Sequence, residues 1–307
     1  MRPRDRVRAQ QIDDGLETFA RTVRVLPGIA DQQRHHVFVE QLLESIHRVD
    51  FVQILHRRHL SDRRGDPGDE LFDPLKAAIV QQRRGNPEEA FWLIFLFVHF
   101  GKHPRGGWRY AREVYGRLGQ TPNWNWVAVS QDPLGFRTWL RAQQAHLKRP
   151  GAGFGNHRKF ESLDAYSDTG TGAIVESYVR WVKAHDSHER LIADVMSRNN
   201  QDGSTAFEDL FCSMREVVRF GRLARFDYLA MLGKLGLAPI KPGSPHLEGA
   251  SGPLNGARIL FGSRESASTL NTSVIELDGH LHVGMQVLED ALCNWQKSPH
   301  EFHGFRA

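Results

Sequence analysis

Apolar residues recur at helical intervals along most of the chain, and the strict alternation typical of strands is largely absent. The clearest case lies between residues 213 and 235, and its apolar positions at steps of three and four are Met214, Val217, Val218, Leu223, Phe226, Leu229 and Leu232. Gly221 interrupts this pattern where a tight turn needs a small residue. The pattern predicts a helical hairpin over residues 214–235.

A segment crowded with glycine and proline follows this hairpin. Four prolines and four glycines lie between residues 239 and 256, a density at which we expect no helix to form. The segment also carries the polar residues Lys241, Ser244, His246 and Glu248. Because long polar loops between helices tend to carry binding or catalytic residues, we expect function here.

Helical patterns also cover most of the remaining chain. Residues 10–60 show broken helical spacing, and Asp73 with Pro74 begins a helix in the usual way, as an acidic cap followed by proline. The stretch 88–100 is apolar on its whole circumference, which predicts a helix at the centre of the fold. Further helices are predicted near 109–118, 133–147, 172–185, 188–197, 205–220 and 283–296. A short strand pair around 274–282 is the alternative to an all-α chain of about ten helices.

A charged stretch with glycine and proline, residues 56–69, marks a candidate domain boundary. We therefore divide the chain into an N-terminal helical cap (1–68), a main body (69–262) and a C-terminal tail with one helix (263–307).

Composition places few limits on function. The chain has 307 residues, with 40 Lys and Arg against 36 Asp and Glu, a mildly basic balance that suits a phosphate-rich partner without requiring one. Its most apolar segment, residues 90–100, is too short to cross a bilayer, and no apolar run follows the Arg-rich start. Two cysteines are too few for a disulfide framework or a four-cysteine metal site. We expect a monomeric, cytoplasmic protein that does not associate with membranes.

Two glycine-rich basic segments are candidate anion sites. One spans residues 153–159, and the other combines Lys102, His103 and Arg105 with Gly106 and Gly107. Glycines let the backbone approach a phosphate closely, and the basic side chains donate charged hydrogen bonds. A solvated basic turn is the alternative for each segment. Four tryptophans could pack in the core, or one or two of them could stack on an extruded base: Trp108, Trp124, Trp126 and Trp139.

Familiar catalytic motifs are absent. No zinc signature, phosphate-binding Walker loop or nucleophile elbow occurs. His280 and His282 have no acidic or cysteine partner at ligand spacing, which favours two exposed histidines over a metal site. We expect no metal and no cofactor. Asp227, Glu161 and Glu248 remain as candidate catalytic carboxylates, with a salt-bridged helix residue as the alternative for Asp227.

Several runs together resemble a known protein family over roughly residues 70–300. They are Phe72-Asp73-Pro74-Leu75-Lys76, Phe100-Gly101-Lys102-His103, Phe154-Gly155-Asn156-His157-Arg158-Lys159, Phe220-Gly221-Arg222 with Arg225-Phe226-Asp227-Tyr228-Leu229, and Pro242-Gly243-Ser244. These runs resemble the third clade of the alpha-glutamyl/putrescinyl thymine pyrophosphorylases, which is regarded as an offshoot of the helix-hairpin-helix DNA glycosylases. The resemblance implies an all-α, helix-hairpin-helix glycosylase-like fold and action on hypermodified pyrimidines of phage DNA.

The resemblance also implies where DNA and the reaction lie. It points to DNA contacts from Arg219, Gly221, Arg222, Arg225, Lys102, His103, Asn156, His157, Arg158, Lys159 and Ser244. The superfamily carries its catalytic Asp in a Val-Asp-x-His-like segment, but the matching residues 240–246 contain no Asp. The acid must therefore be Asp227, Glu161 or Glu248, or Lys241 acts as a nucleophile.

Three functions follow from these features. The first is a DNA N-glycosylase that flips and excises a hypermodified pyrimidine, such as glucosylated hydroxymethylcytosine, in defence against phages. The second is a non-catalytic module that binds modified DNA, and the third is a pyrophosphorylase-like enzyme of thymine hypermodification. For the glycosylase we expect Asn156, Asp227 and Lys241 to converge on one pocket, with the 151–162 loop closing over it and a Trp or Phe on its wall.

Overall fold

The computed structural model describes residues 5–304, and this part of the chain contains fourteen α-helices and no β-strand. The all-α class predicted from the sequence is confirmed, although the number of helices is larger than the predicted ten. One isolated antiparallel bridge joins His103 and Gly107. The helix-hairpin-helix architecture stays a prediction.

The chain packs as two compact units. One unit spans Leu55–Lys241, and the other combines the described residues up to Ile54 with those from Pro242 onward. The division into a cap, a body and a tail stays a prediction.

The unit Leu55–Lys241 carries the candidate residues of the hairpin and of the two glycine-rich segments. Its helices are α3 (Pro74–Arg83), α4 (Pro87–Phe100), α5 (Arg109–Tyr115), α6 (Trp126–Gln131), α7 (Pro133–Leu147), α8 (Thr171–Lys183), α9 (His188–Arg198), α10 (Gly203–Ser213) and α11 (Arg222–Lys234).

The apolar helix α4 lies at the centre of this unit, as its sequence predicts. Nearly all its side chains are buried, and it packs against α3, α5, α6, α9 and α11. Local signals in the sequence fix where α3 and α4 begin and where α4 ends. The Asp73 carboxylate accepts a hydrogen bond from the Lys76 N–H at 3.2 Å and caps α3, Pro87 begins α4, and Gly101 ends α4 with a φ of +60°. These boundaries confirm the helices predicted from residues 73 and 88.

The second unit is also helical and has its own core. It comprises α1 (Arg6–Thr22), most of α2 (Gln32–Arg57), α12 (Ser251–Phe261), α13 (Ala267–Leu281) and α14 (Met285–Trp295). Phe38 and Trp295 meet in this core with ring centroids 4.9 Å apart.

Helix α12 contradicts the prediction that no helix forms before residue 256. It begins at Ser251, so Pro253 falls in the first turn, where proline costs no hydrogen bond. A Cβ on Gly256 would lie 2.3 Å from the Leu292 carbonyl oxygen. The glycine therefore lets α12 approach α14 closely, and it is a packing residue of a helix.

Helix α13 contradicts the alternative of a strand pair around 274–282. Ser266 caps the helix by accepting a hydrogen bond from the Thr269 N–H at 3.1 Å. Its buried apolar positions are Leu270, Val274, Leu277 and Leu281. Their spacing of four, three and four is helical, and polar residues between them hide this period in the sequence.

Candidate functional site

The helical hairpin predicted over residues 214–235 does not form within those bounds, since the helices on either side of the turn are α10 (Gly203–Ser213) and α11 (Arg222–Lys234). Helix α10 ends at Ser213 and α11 begins at Arg222, so the prediction of one helix from 205 to 220 is wrong at its end. Met214 and Val217 are buried, but they lie in the connecting turn. The Val218 N–H donates to the Ser177 hydroxyl at 3.0 Å, which fixes this turn on α8.

The reason for a glycine at position 221 differs from the one the sequence indicates. Gly221 has a φ of −65°, and a Cβ built on it would meet nothing within 4 Å. The left-handed conformation falls on Arg219, whose φ is +59°. Gly221 is therefore not required by the turn; it leaves open space at the N-terminus of α11, where backbone N–H groups favour an anion.

The two glycine-rich basic segments pack directly on each other. We call them, residues 101–107 and 151–159, the double loop. The Gly155 N–H donates to the Phe100 carbonyl at 2.8 Å, and a Cβ on Gly155 would lie 2.8 Å from the Gly101 carbonyl carbon. A Cβ on Gly106 would lie 2.3 Å from the Gly151 carbonyl oxygen. Glycine is thus needed here because two backbones touch.

The double loop is rich in positive charge and contains no acidic residue. The side chains of Lys102, Asn156, His157 and Lys159 are exposed. His103 has a different position, since its Nδ1 accepts a hydrogen bond from the Gly106 N–H at 2.9 Å and stabilises the turn. The exposed groups form a surface suited to phosphates.

Asp227 lies against the double loop. Its Oδ2 is 3.6 Å from Nη2 of Arg158, whose Nε donates to the Val98 carbonyl at 2.9 Å. The side chain of Asp227 keeps 45% of its surface accessible, although protein atoms crowd its carboxylate. Burial raises the pKa of Asp227, and Arg158 is the largest opposing influence. Further cations that lower it are Lys234, Arg222 and His157.

Glu161 joins the double loop to the hairpin turn. Nε and Nη2 of Arg219 lie 3.3 Å and 3.2 Å from the two carboxylate oxygens of Glu161, a bidentate pair. Only 11% of the Glu161 side chain is accessible. Glu161 and Arg219 also line a surface recess of about 550 Å³ with Arg215, Val217, Phe220 and Gly221.

Lys241 contacts the start of helix α10. Its N–H donates to the Gly203 carbonyl at 3.2 Å, and its charge lowers the pKa of Asp202 as the smallest of several influences. The recess it lines, about 400 Å³, is bounded by Gly203, Gly233 and the 236–240 turn, and Asp227 does not line it. The expected pocket shared by Lys241 and Asp227 stays a prediction, and the recess that Lys241 lines does not include Asp227.

Three other candidates have structural partners. Arg225 is buried; its Nη1 donates to the Phe211 carbonyl at 2.6 Å and joins α11 to α10. Ser244 and Glu248 belong to the second unit. There the Ser244 hydroxyl accepts from the His246 N–H at 3.1 Å, and Glu248 accepts from the Asn271 amide at 2.6 Å.

One exposed aromatic residue, Phe160, is not among the site residues predicted from the sequence. Trp124, Trp126 and Trp139 are buried, and Trp108 packs on Phe97 with centroids 5.0 Å apart. Phe160 is 80% exposed, the largest fraction for a bulky apolar side chain between residues 5 and 304. Its sequence signal is an aromatic residue that directly follows the basic run ending at Lys159.

Comparison with known proteins places the chain in one family. The model of the family described as alpha-glutamyl/putrescinyl thymine pyrophosphorylase clade 3 matches residues 33–307. No curated protein and no solved structure matches. Within the described part of the chain, no helix has the length and apolarity to traverse a bilayer. In the same residues, His, Cys, Asp and Glu side chains form no group of three suited to a metal ion.

Proposed function

The chain belongs to the alpha-glutamyl/putrescinyl thymine pyrophosphorylase clade 3 family, and from this premise we propose that it is a DNA N-glycosylase that excises a hypermodified pyrimidine from phage DNA. The product is an abasic site, and the biological role is defence against phages with modified bases. A glucosylated hydroxymethylcytosine is one such base.

The observation that carries the proposal is the position of Asp227 beside Arg158 at the edge of the double loop. Cleavage of the N-glycosidic bond leaves positive charge on the sugar, and a carboxylate stabilises that charge. The same carboxylate takes a proton from the water that attacks C1′, while the base leaves with the bonding electrons. Because burial raises the pKa of Asp227, it is a better proton acceptor than an ordinary Asp.

The geometry favours Asp227 over the other candidates. Glu161 is almost inaccessible and both its oxygens are held by Arg219. Lys241 lines a recess without Asp227. Asp227 is the candidate carboxylate that combines solvent access with a cationic setting, so the proposal assigns it the catalytic role.

The double loop and the hairpin would hold the DNA. Lys102, His157 and Lys159 are exposed on a segment without acidic residues, where they meet phosphates. The open N-terminus of α11 at Gly221 offers a further phosphate position. Arg219 is committed to Glu161, so in this proposal it orients the turn and contacts DNA secondarily.

A second candidate is a pyrophosphorylase-like reaction, favoured by the family's description. The cations around Asp227 suit a pyrophosphate leaving group as well as a DNA phosphate. The third candidate, a non-catalytic module that binds modified DNA, uses the same basic surface.

One experiment separates these functions. The protein is incubated with DNA from phages of different base chemistry, and abasic sites, free base and released pyrophosphate are measured in parallel. Abasic sites with matching free base support the glycosylase. Pyrophosphate without abasic sites supports the second candidate, and specific binding without any product supports the third.

A further inference from the structure

Phe160 is exposed to solvent on a loop whose residues before and after it are held by hydrogen bonds and ion pairs. Before it, Arg158 is anchored to the Val98 carbonyl and to Asp227. After it, the Glu161 carboxylate is held by Arg219, and the Glu161 N–H donates to the Arg158 carbonyl at 2.9 Å. The ring has no comparable packing of its own, since 80% of it is exposed.

Exposing a large aromatic ring to water costs free energy, and a partner that covers the ring recovers it. An exposed ring on an anchored loop therefore indicates a binding surface. The partner's chemistry is indicated by the neighbouring charge. Lys159 Nζ lies 4.9 Å from the centroid of the Phe160 ring, and the double loop that precedes the ring contains no acid. An aromatic ring with a cation against it, at the end of a basic loop, matches nucleic acid with its stacked bases and flanking phosphates.

The ring lies on the same loop as Arg158, the residue that contacts the assigned carboxylate. Phe160 follows Arg158 by two residues, which limits their Cα separation to about 7 Å, and Arg158 contacts Asp227. If this ring enters the base stack, it does so near the nucleotide whose sugar reaches Asp227.

We propose that Phe160 inserts into the base stack of duplex DNA and fills the space that the extruded nucleotide leaves. This inference rests on the proposed function and adds that the substrate base is taken from paired, stacked DNA. Filling the gap keeps the neighbouring bases stacked, so the extruded state is stabilised. A single strand has no such gap to fill, so the ring contributes little there.

The test compares Phe160→Ala with wild type on one modified pyrimidine, placed in a duplex and in the matching single strand. We expect the duplex excision rate to fall by about tenfold or more, while the single-strand rate stays within about twofold. Phe160→Trp should keep the duplex rate. Leu134→Ala, which removes another exposed apolar side chain (66% accessible), is the matched control and should behave as wild type.

A binding measurement separates this inference from the proposed function. A duplex carrying 2-aminopurine beside a stable abasic analogue reports whether a side chain enters the stack, and it needs no catalysis. Suppose that wild type changes the fluorescence, Phe160→Ala does not, and no base is released from any DNA. The insertion of Phe160 is then supported, and the proposed glycosylase activity is contradicted. If wild type excises the base and Phe160→Ala does so equally fast from duplex, the insertion of Phe160 is contradicted and the proposed glycosylase activity is supported.

Discussion

Nη2 of Arg158 lies 3.6 Å from Oδ2 of Asp227, and this pair links the double loop to helix α11. The guanidinium is mostly buried, and burial lowers the pKa of Arg158 while Asp227 and Glu161 raise it. Arg158 Nε also donates to the Val98 carbonyl, so the guanidinium keeps an anchor when Asp227 is neutralised. The pair therefore sets mainly the charge of the site.

Asp227→Asn tests the assigned carboxylate. We expect the rate of base release to fall by about a hundredfold or more, with DNA affinity nearly unchanged, because the charge matters mainly once the sugar becomes positive. Release of free base and binding to modified duplex are the two measurements.

The matched control is Asp194→Asn. Asp194 is also 45% accessible and also has a side-chain partner, since His185 Nδ1 lies 2.9 Å from its Oδ2. Full activity of Asp227→Asn, with loss of activity in Glu161→Gln or Lys241→Ala, would move the catalytic role to one of those residues.

The double loop should account for much of the salt dependence of DNA binding. Replacing both Lys102 and Lys159 with Ala removes two phosphate contacts, so the slope of log affinity against log salt should become shallower by about 2. Titrations at several salt concentrations measure this slope. The control is the pair Arg180→Ala and Lys183→Ala on α8, which removes the same charge outside the double loop; an equal effect of both pairs would show that charge acts without a defined surface.

Gly155→Ala should destabilise the protein. The new Cβ would lie 2.8 Å and 2.9 Å from backbone atoms of Gly101 and Lys102, which cannot rotate away. We expect the free energy of unfolding to fall by about 1–3 kcal/mol, measured by urea titration. Gly279→Ala is the control, because its Cβ meets nothing within 4 Å and α13 gains up to about 1 kcal/mol from the better helix former. Equal stability of the two variants would contradict the close approach in the double loop.

Glu89 makes stability depend on pH. This side chain is buried in α4, and burial raises its pKa from 4.5 to about 7, opposed by hydrogen bonds from the Trp126 N–H (2.8 Å) and Tyr115. A carboxyl group whose pKa is raised in the folded state contributes most to the free energy of unfolding below pH 4.5, where it is protonated in both the folded and the unfolded state. That contribution is lost as pH rises toward 7, by about 3 kcal/mol in total.

The variant Glu89→Gln cannot titrate and keeps an acceptor for the Trp126 N–H. The difference in unfolding free energy between wild type and this variant should therefore change in favour of the variant between pH 4.5 and 7.5. Urea titrations at several pH values measure it. Parallel pH profiles of the two proteins would rule out this role for Glu89.

Local signals in the sequence predict much of the helical framework. Asp73 with Pro74 and the uniformly apolar stretch 88–100 mark α3 and α4, and Pro133 marks the start of α7. These predictions succeed because caps, proline and buried periodicity act within a few residues. The family resemblance on residues 70–300 agrees with the family match to residues 33–307.

Predictions fail where packing overrides local preference. Gly252 and Gly256 suggest the absence of a helix, yet both lie within α12. Because they have no Cβ, α12 can pack closely against α14. At the site, the sequence offers Asp227, Glu161, Glu248 and Lys241 as candidates, and nothing local distinguishes them. Their difference lies in partners that are distant in sequence, since Arg219 holds Glu161 across 58 residues.

The sequence by itself determined the all-α class, the central helix α4 and the two basic glycine-rich segments, because residue type and short-range spacing suffice for each. Only the tertiary structure decided that these segments touch through Gly101 and Gly155, that Asp227 meets Arg158, and that Phe160 remains exposed. Contact and exposure are set by which backbones pack together, and that outcome depends on the whole chain.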